Sequence, residues 1–169
     1  VHMAMGGSTN AIIHLVAMAR RAGIPVDMDT FDRLSRQIPV LANVRPSGKY
    51  LMEDFFYAGG LRALMQNLRE KLDLSCITVT GKTIGENIEG AKVHIPDVIH
   101  SLNDPIYAEG ATAVLKGNLA PNGCVIKPAA AEQRFLKHRG KAIAFEDYNH
   151  MMREIERDEE LDLVICGGP

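Results

Sequence analysis

Gly6-Gly7-Ser8-Thr9-Asn10 is the stretch whose residue types could do chemistry. A glycine pair lets the backbone approach a ligand closely. Ser8 or Thr9 can accept from the free amides of a first helical turn. The apolar run that follows, Ala11-Ile12-Ile13-His14-Leu15-Val16, then opens a helix whose unpaired N–H groups and partial positive charge suit a carboxylate or phosphate. An ordinary capped core helix would show the same pattern, so the turn alone leaves both readings open. A second polar knot, Arg45-Pro46-Ser47-Gly48-Lys49-Tyr50, is a loop by its proline and glycine and offers Ser, Lys and Arg donors to an anion; a solvated turn is the competing account. Ser8, Thr9, Ser47 and Lys49 are therefore the candidate substrate-facing residues. No residue is assigned a catalytic or metal-ligating role.

The elements that must position these knots follow from the pattern of apolar residues. A helix is predicted over residues 8–22, ending at Gly23, with Arg20 and Arg21 in its last turn. It is apolar on nearly every side and is expected to be buried, with His14 as a satisfied core histidine. Asp27 or Asp29 caps a second helix, residues 30–37, with Phe31, Leu34 and Ile38 on one face. Residues 40–44 read as a buried strand. Helices are predicted over 51–58 and 61–72 on either side of Gly59-Gly60, the latter lined by Leu61, Leu64, Met65 and Leu68, and Glu53 and Asp54 suit a first helical turn. Gly81-Lys82-Thr83 invites a phosphate-loop reading that fails, because the first glycine of that motif would fall at Cys76. A strand, a turn and a helix over 83–88 is the better account. Residues 90–110 look like a connector. Two strands with a turn at Pro121-Asn122-Gly123 form a hairpin, and a strand at 142–145, a helix over 146–157 and a strand at 163–166 complete a small β-rich α/β segment. His138 and Arg139 are basic and could serve function, with a solvated loop as the competing and simpler account.

Composition excludes several classes. With 169 residues, 46% of them hydrophobic, and a net charge of -2, the chain can build a core and has no affinity signature for nucleic acid or a membrane surface. No apolar run reaches the length of a membrane span and the start does not read as a signal peptide. Cys76, Cys124 and Cys166 are widely spaced, with no C-x-x-C pair. That argues against a disulfide framework or zinc knuckle, supports a cytoplasmic setting, and leaves each as a small buried apolar residue. The ends, Val1 without an initiator context and Pro169 just past an apparent strand, read as those of a fragment of a longer enzyme. On the residues alone, a non-catalytic α/β module that binds an acidic metabolite competes with that reading.

Four phrases occur in series: Gly-Gly-Ser-Thr-Asn-Ala from Gly6, Pro-Ser-Gly-Lys-Tyr-Leu-Met-Glu-Asp from Pro46, Thr-Val-Thr-Gly-Lys-Thr from Thr78 and Leu-Lys-Gly-Asn-Leu-Ala-Pro-Asn-Gly from Leu115. In that order they resemble the dihydroxy-acid dehydratase / phosphogluconate dehydratase family, over essentially the whole chain. Phe56-Tyr57-Ala58-Gly59-Gly60 and Lys127-Pro128-Ala129-Ala130 with His138-Arg139-Gly140 are more similar to the sugar-acid (arabinonate or xylonate) branch. The resemblance implies a cytoplasmic hydro-lyase that converts a 2,3-dihydroxy carboxylic acid or sugar acid to a 2-keto-3-deoxy acid, in branched-chain amino acid biosynthesis or sugar-acid metabolism. It implies an iron–sulfur cluster, of [2Fe–2S] type, acting on the leaving 3-hydroxyl, a Mg²⁺ ion gripping the carboxylate and 2-hydroxyl, and a serine alkoxide taking the C2 proton. It also implies a homodimer or homotetramer with a small acidic substrate and neither nucleic acid nor membrane as partner. The implied fold is the C-terminal part of an α/β N-terminal domain, residues 1–103, joined to the start of a β-barrel-like swivelling C-terminal domain, residues 104–169. In the family the cluster cysteines and metal ligands lie upstream of the position matching Val1, and the serine lies beyond that matching Pro169. This chain alone is therefore expected to hold neither cofactor and to be inactive.

Overall fold

A computed structural model describes residues 1–140, 142–155 and 163–166. It shows helices with two small two-stranded sheets, in two compact units, Val1–Ala131 and Glu132–Pro169. In the first unit a short helix α1, His2–Met5, ends at Gly6. Helix α2, Asn10–Arg21, begins where Ser8 Oγ accepts from Asn10 N at 3.3 Å. Helix α3, Met28–Gln37, is capped by Asp27, whose carboxylate accepts from Thr30 N at 2.8 Å. Met3, Ile12 and Phe31 bury one another between these three helices, with Val16 packed alongside. The rest of α2 departs from expectation: Ile13 and Met18 are 68% and 66% exposed, and His14 is exposed rather than a core residue. A helix apolar on all sides can bury only the stripe that meets a neighbour, and here that stripe carries Ile12 and Val16.

The larger core lies around residues 40–44, helix α4, Met52–Tyr57, and helix α5, Gly60–Asn67. Leu41, Phe55, Leu64, Leu68 and Ile99 are buried in it, whereas Leu61 points outward at 48% exposure. Residues 40–44, expected as a buried strand, are buried but bridge one residue at a time: Val40 to Tyr107, Ala42 to Ile99, Val44 to Tyr50. Two of those partners come from residues 90–110, which are therefore not a loose connector. Val98 and Ile99 are buried, and His100 N donates to Leu41 O at 2.8 Å. Prolines and Asn103 deny this segment a regular ladder, but its apolar pair still fills the core. Helix α6, Ile84–Ile88, is closed by a reciprocal cap: Glu86 N donates to Thr83 Oγ1 at 3.2 Å and Thr83 N to Glu86 Oε2 at 2.7 Å. The turn and the helix expected around Gly81-Lys82-Thr83 are present, whereas the strand expected before them is reduced to a single bridge, Ile77 to Thr83.

Strands β1, Ala113–Leu115, and β2, Cys124–Ile126, form the expected hairpin, with Val114 opposite Val125. Asp32 of α3 anchors it, accepting from Arg36 Nε at 2.8 Å and from Val114 N at 3.1 Å. These bonds, that from Arg36 first, hold the Asp32 carboxyl below the usual carboxylate range. Asp32→Ala leaves the Val114 amide unpaired and should cost about 1–3 kcal/mol. Urea unfolding reads this, and an unchanged midpoint would show that the hairpin docks without that anchor.

The second unit holds strand β3, Ala142–Phe145, helix α7, Tyr148–Ile155, and strand β4, Leu163–Cys166. The two strands are parallel, Ile143 opposite Val164. Helix α7 starts where Asp147 Oδ1 accepts from His150 N at 2.8 Å. Residues 156 and 157, also expected in this helix, lie outside the described residues, as does the Cys166 side chain. Cys76 and Cys124 are free and exposed, not the small core residues expected: Cys76 sits at the edge of a turn, and Cys124 is an exposed residue of β2, whose neighbour Val125 is the one packed against the α1–α3 cluster. Among the described residues no helix is long and apolar enough to cross a membrane.

Candidate functional site

Three segments of the first unit meet at one cleft. The first is the turn after α1, where Gly6 N donates to Met3 O and Gly7 N to His2 O, and Ala11 N donates to Ser8 O to start α2. The second is the loop 45–50. Gly48 N donates to Val44 O at 2.8 Å and Arg45 N to Tyr50 O at 2.8 Å. Asn43 organises the loop from below, its Oδ1 accepting from Lys49 N at 3.0 Å while its Nδ2 donates to Asp97 O at 3.1 Å. The third is the end of β2, from which Lys127 Nζ donates to Gly6 O at 2.5 Å. Ser8, Thr9, Arg45, Pro46, Met52 and Lys127 line the resulting cleft of about 470 Å³.

The expected site residues divide. Ser8 and Thr9 face the cleft. Ser47 lines a water-sized cavity of about 10 Å³ behind it, which shares Met5, Gly6 and Val44 with the cleft wall. The Ser47 Oγ is buried there with no hydrogen-bond partner among the described residues. Lys49 does not line the cleft; it is exposed, with its Nζ 5.3 Å from the centroid of the Tyr50 ring. Arg45 and Lys127 bring the positive charge instead. Neither is in an ion pair among the described residues. Burial pushes the Lys127 ammonium below its usual pKa, and burial together with neighbouring positive charge, Lys127 included, lowers that of His2 beneath the turn. Lys127 escaped the sequence reading as a site residue because nothing local marks a lysine at a strand end. Its one signal was the Lys-Pro step directly after the hairpin.

The amides at the start of α2 are already engaged, Asn10 N by Ser8 Oγ, Ala11 N by Ser8 O and Ile12 N by Thr9 O. Two cations and two hydroxyls can receive a hydroxylated carboxylate. They do not make a metal site: among the described residues no group of three or more His, Cys, Asp or Glu could hold an ion.

The model of the dihydroxy-acid/6-phosphogluconate dehydratase N-terminal region matches residues 1–87, and that of the C-terminal region matches residues 97–166. The chain belongs to this dehydratase family. It is 44% identical over 163 residues to an L-arabonate dehydratase of Azospirillum brasilense, covering 95% of this chain and 28% of that protein. It is 47% identical over 159 residues to a 6-deoxy-6-sulfo-D-gluconate dehydratase of Pseudomonas putida, covering 92% and 28%. A dihydroxy-acid dehydratase of Methanothrix thermoacetophila is 45% identical over 181 residues, covering 100% and 33%. The chain thus spans about a third or less of the length of these relatives. Both dehydratase regions contribute to the cleft: the turn and Arg45 come from the N-terminal match, and Lys127 from the C-terminal one.

Proposed function

We propose that the longer protein containing this chain removes water from a 2,3-dihydroxy carboxylic acid, within the sugar-acid branch, and that the cleft receives the acid's carboxylate and adjacent hydroxyl. Loss of the C2 proton and the C3 hydroxyl as water leaves an enol, which tautomerises to the 2-keto-3-deoxy acid. The observation that carries this reading is the convergence of Arg45 and Lys127, 82 positions apart in sequence and without a carboxylate partner among the described residues, on the cleft lined by Ser8 and Thr9. The names of the relatives, which include dehydratases of sugar acids and of dihydroxy acids, support the substrate class. In this reading Arg45 and Lys127 bind and orient the acid, and the two hydroxyls select hydroxylated carbon skeletons. We place the chain at the junction of an α/β N-terminal domain with a barrel-like C-terminal domain, in a cytoplasmic homodimer or homotetramer.

The resemblance also implies an iron–sulfur cluster and Mg²⁺ in the full-length enzymes. The described residues fit neither, since they offer no clustered donor set and Cys76 and Cys124 stand free and exposed. No proton or hydroxyl transfer is assigned to either group on this chain.

The test is a keto-acid assay on the full-length protein with pentonates, hexonates and branched dihydroxy acids. Formation of 2-keto-3-deoxy acid from an aldonic acid is expected. Tight binding of these acids with no keto acid from any of them would replace this reading with that of a binding module.

A further inference from the structure

Lys127 reaches both the turn and the cleft from a distant part of the chain. An ammonium has three N–H donors in tetrahedral array. One is spent on Gly6 O at 2.5 Å, and the side chain also lines the cleft. The described charged groups around it are basic: His2 of α1, whose imidazole feels the Lys127 charge, and Arg45 of the loop 45–50, which lines the same cleft. No described carboxylate pairs with it, and its partial burial carries a desolvation cost that disfavours the charged form. A carbonyl oxygen offsets only part of that cost; an anion in the cleft would offset the rest.

Building on the dehydratase reading, we propose that Lys127 is a substrate-binding residue that also positions the Gly6–Thr9 turn: one donor holds the Gly6 carbonyl and the others take the carboxylate of the incoming acid. The same ammonium then ties the N-terminal and C-terminal family regions together at the point where the acid enters. Binding depends on the charged form, which is present below the lysine pKa. Affinity therefore falls, and KM rises, as pH climbs through that lowered value.

The experiment uses the full-length enzyme and two variants, with KM followed against pH and with 3-deoxy-D-gluconate as a calorimetric probe that lacks the departing 3-hydroxyl. Lys127→Met should raise KM and weaken the probe by about tenfold or more. Lys127→Arg should restore binding at neutral pH and abolish the alkaline rise in KM, because a guanidinium stays charged; a merely structural strap would leave that pH limb where it was. Probe affinity within twofold of wild type in Lys127→Met, an unchanged alkaline limb in Lys127→Arg, or no probe binding by the wild type would each overturn the proposal. If the wild type forms no keto acid from any acid tested but probe binding still depends on Lys127, the dehydratase reading falls and this assignment stands.

Discussion

Gly59→Ala should cost the first unit about 3 kcal/mol or more of folding free energy, enough to remove much of the stability of a domain this size. Gly59 joins α4 to α5 with a φ of 117°, a backbone conformation that strains any L side chain. Space is denied as well. A Cβ there would lie 2.4 Å from Lys92 O and 2.6 Å from the Ala63 Cβ. Neither neighbour can retreat. Ala63 is 1% exposed inside the core, and the chain at Lys92 is pinned two residues on, where His94 N donates to Ala58 O at 2.9 Å. The substitution must therefore either prise residues 91–94 off the core or break the α4–α5 joint. Urea unfolding of the variant decides it, and a loss under about 1 kcal/mol would mean that the 91–94 segment yields freely.

The contrast between legible and illegible parts has a physical origin. Gly59-Gly60 was readable as a helix break, Asp27 or Asp29 as a cap, and the hairpin at residues 113–126 as a hairpin, because each depends on a few adjacent residues whose types fix the backbone. The βαβ order of β3, α7 and β4 was readable for the same reason. Burial was not. The periodicity of α2 announces an apolar helix but not which neighbours exist to cover it, and Ile13 and Met18 are left exposed. Residues 90–110 carry loop composition, yet Val98 and Ile99 enter the core, since irregular backbone can bury side chains without a ladder. The candidate site shows the same division. The turn around Ser8 and Thr9 could be found from local types, whereas Lys127 reaches it only through the register of the hairpin that Asp32 docks on α3. Asn43 is the one polar residue within the apolar run 40–44. That anomaly was the available sign that its side chain had backbone to hold.

Gly48→Ala tests whether the loop that Asn43 holds is part of the site. Here the constraint is crowding alone: an added Cβ would meet the backbone carbon of Asn43 and the nitrogen of Val44 at 2.5 Å, and the Asn43 Oδ1 at 2.7 Å. The floor cannot drop, because Asn43 N donates to Val98 O at 2.9 Å and Val44 is 6% exposed. The loop must lift instead. That breaks the bonds from Gly48 N to Val44 O and from Lys49 N to Asn43 Oδ1, at an expected cost of about 2–4 kcal/mol from overpacking and lost hydrogen bonds. Lifting also carries Arg45 away from Lys127 and opens the cavity behind Ser47. In the full-length enzyme KM should then rise by about tenfold, the worth of one misplaced charged contact, with a smaller change in kcat. Melting and kinetics together separate the two roles of the loop. A lower melting temperature with an unchanged KM would make residues 45–50 a structural turn and leave the cleft to Ser8, Thr9 and Lys127. A raised KM is what a loop that presents Arg45 to the substrate must give.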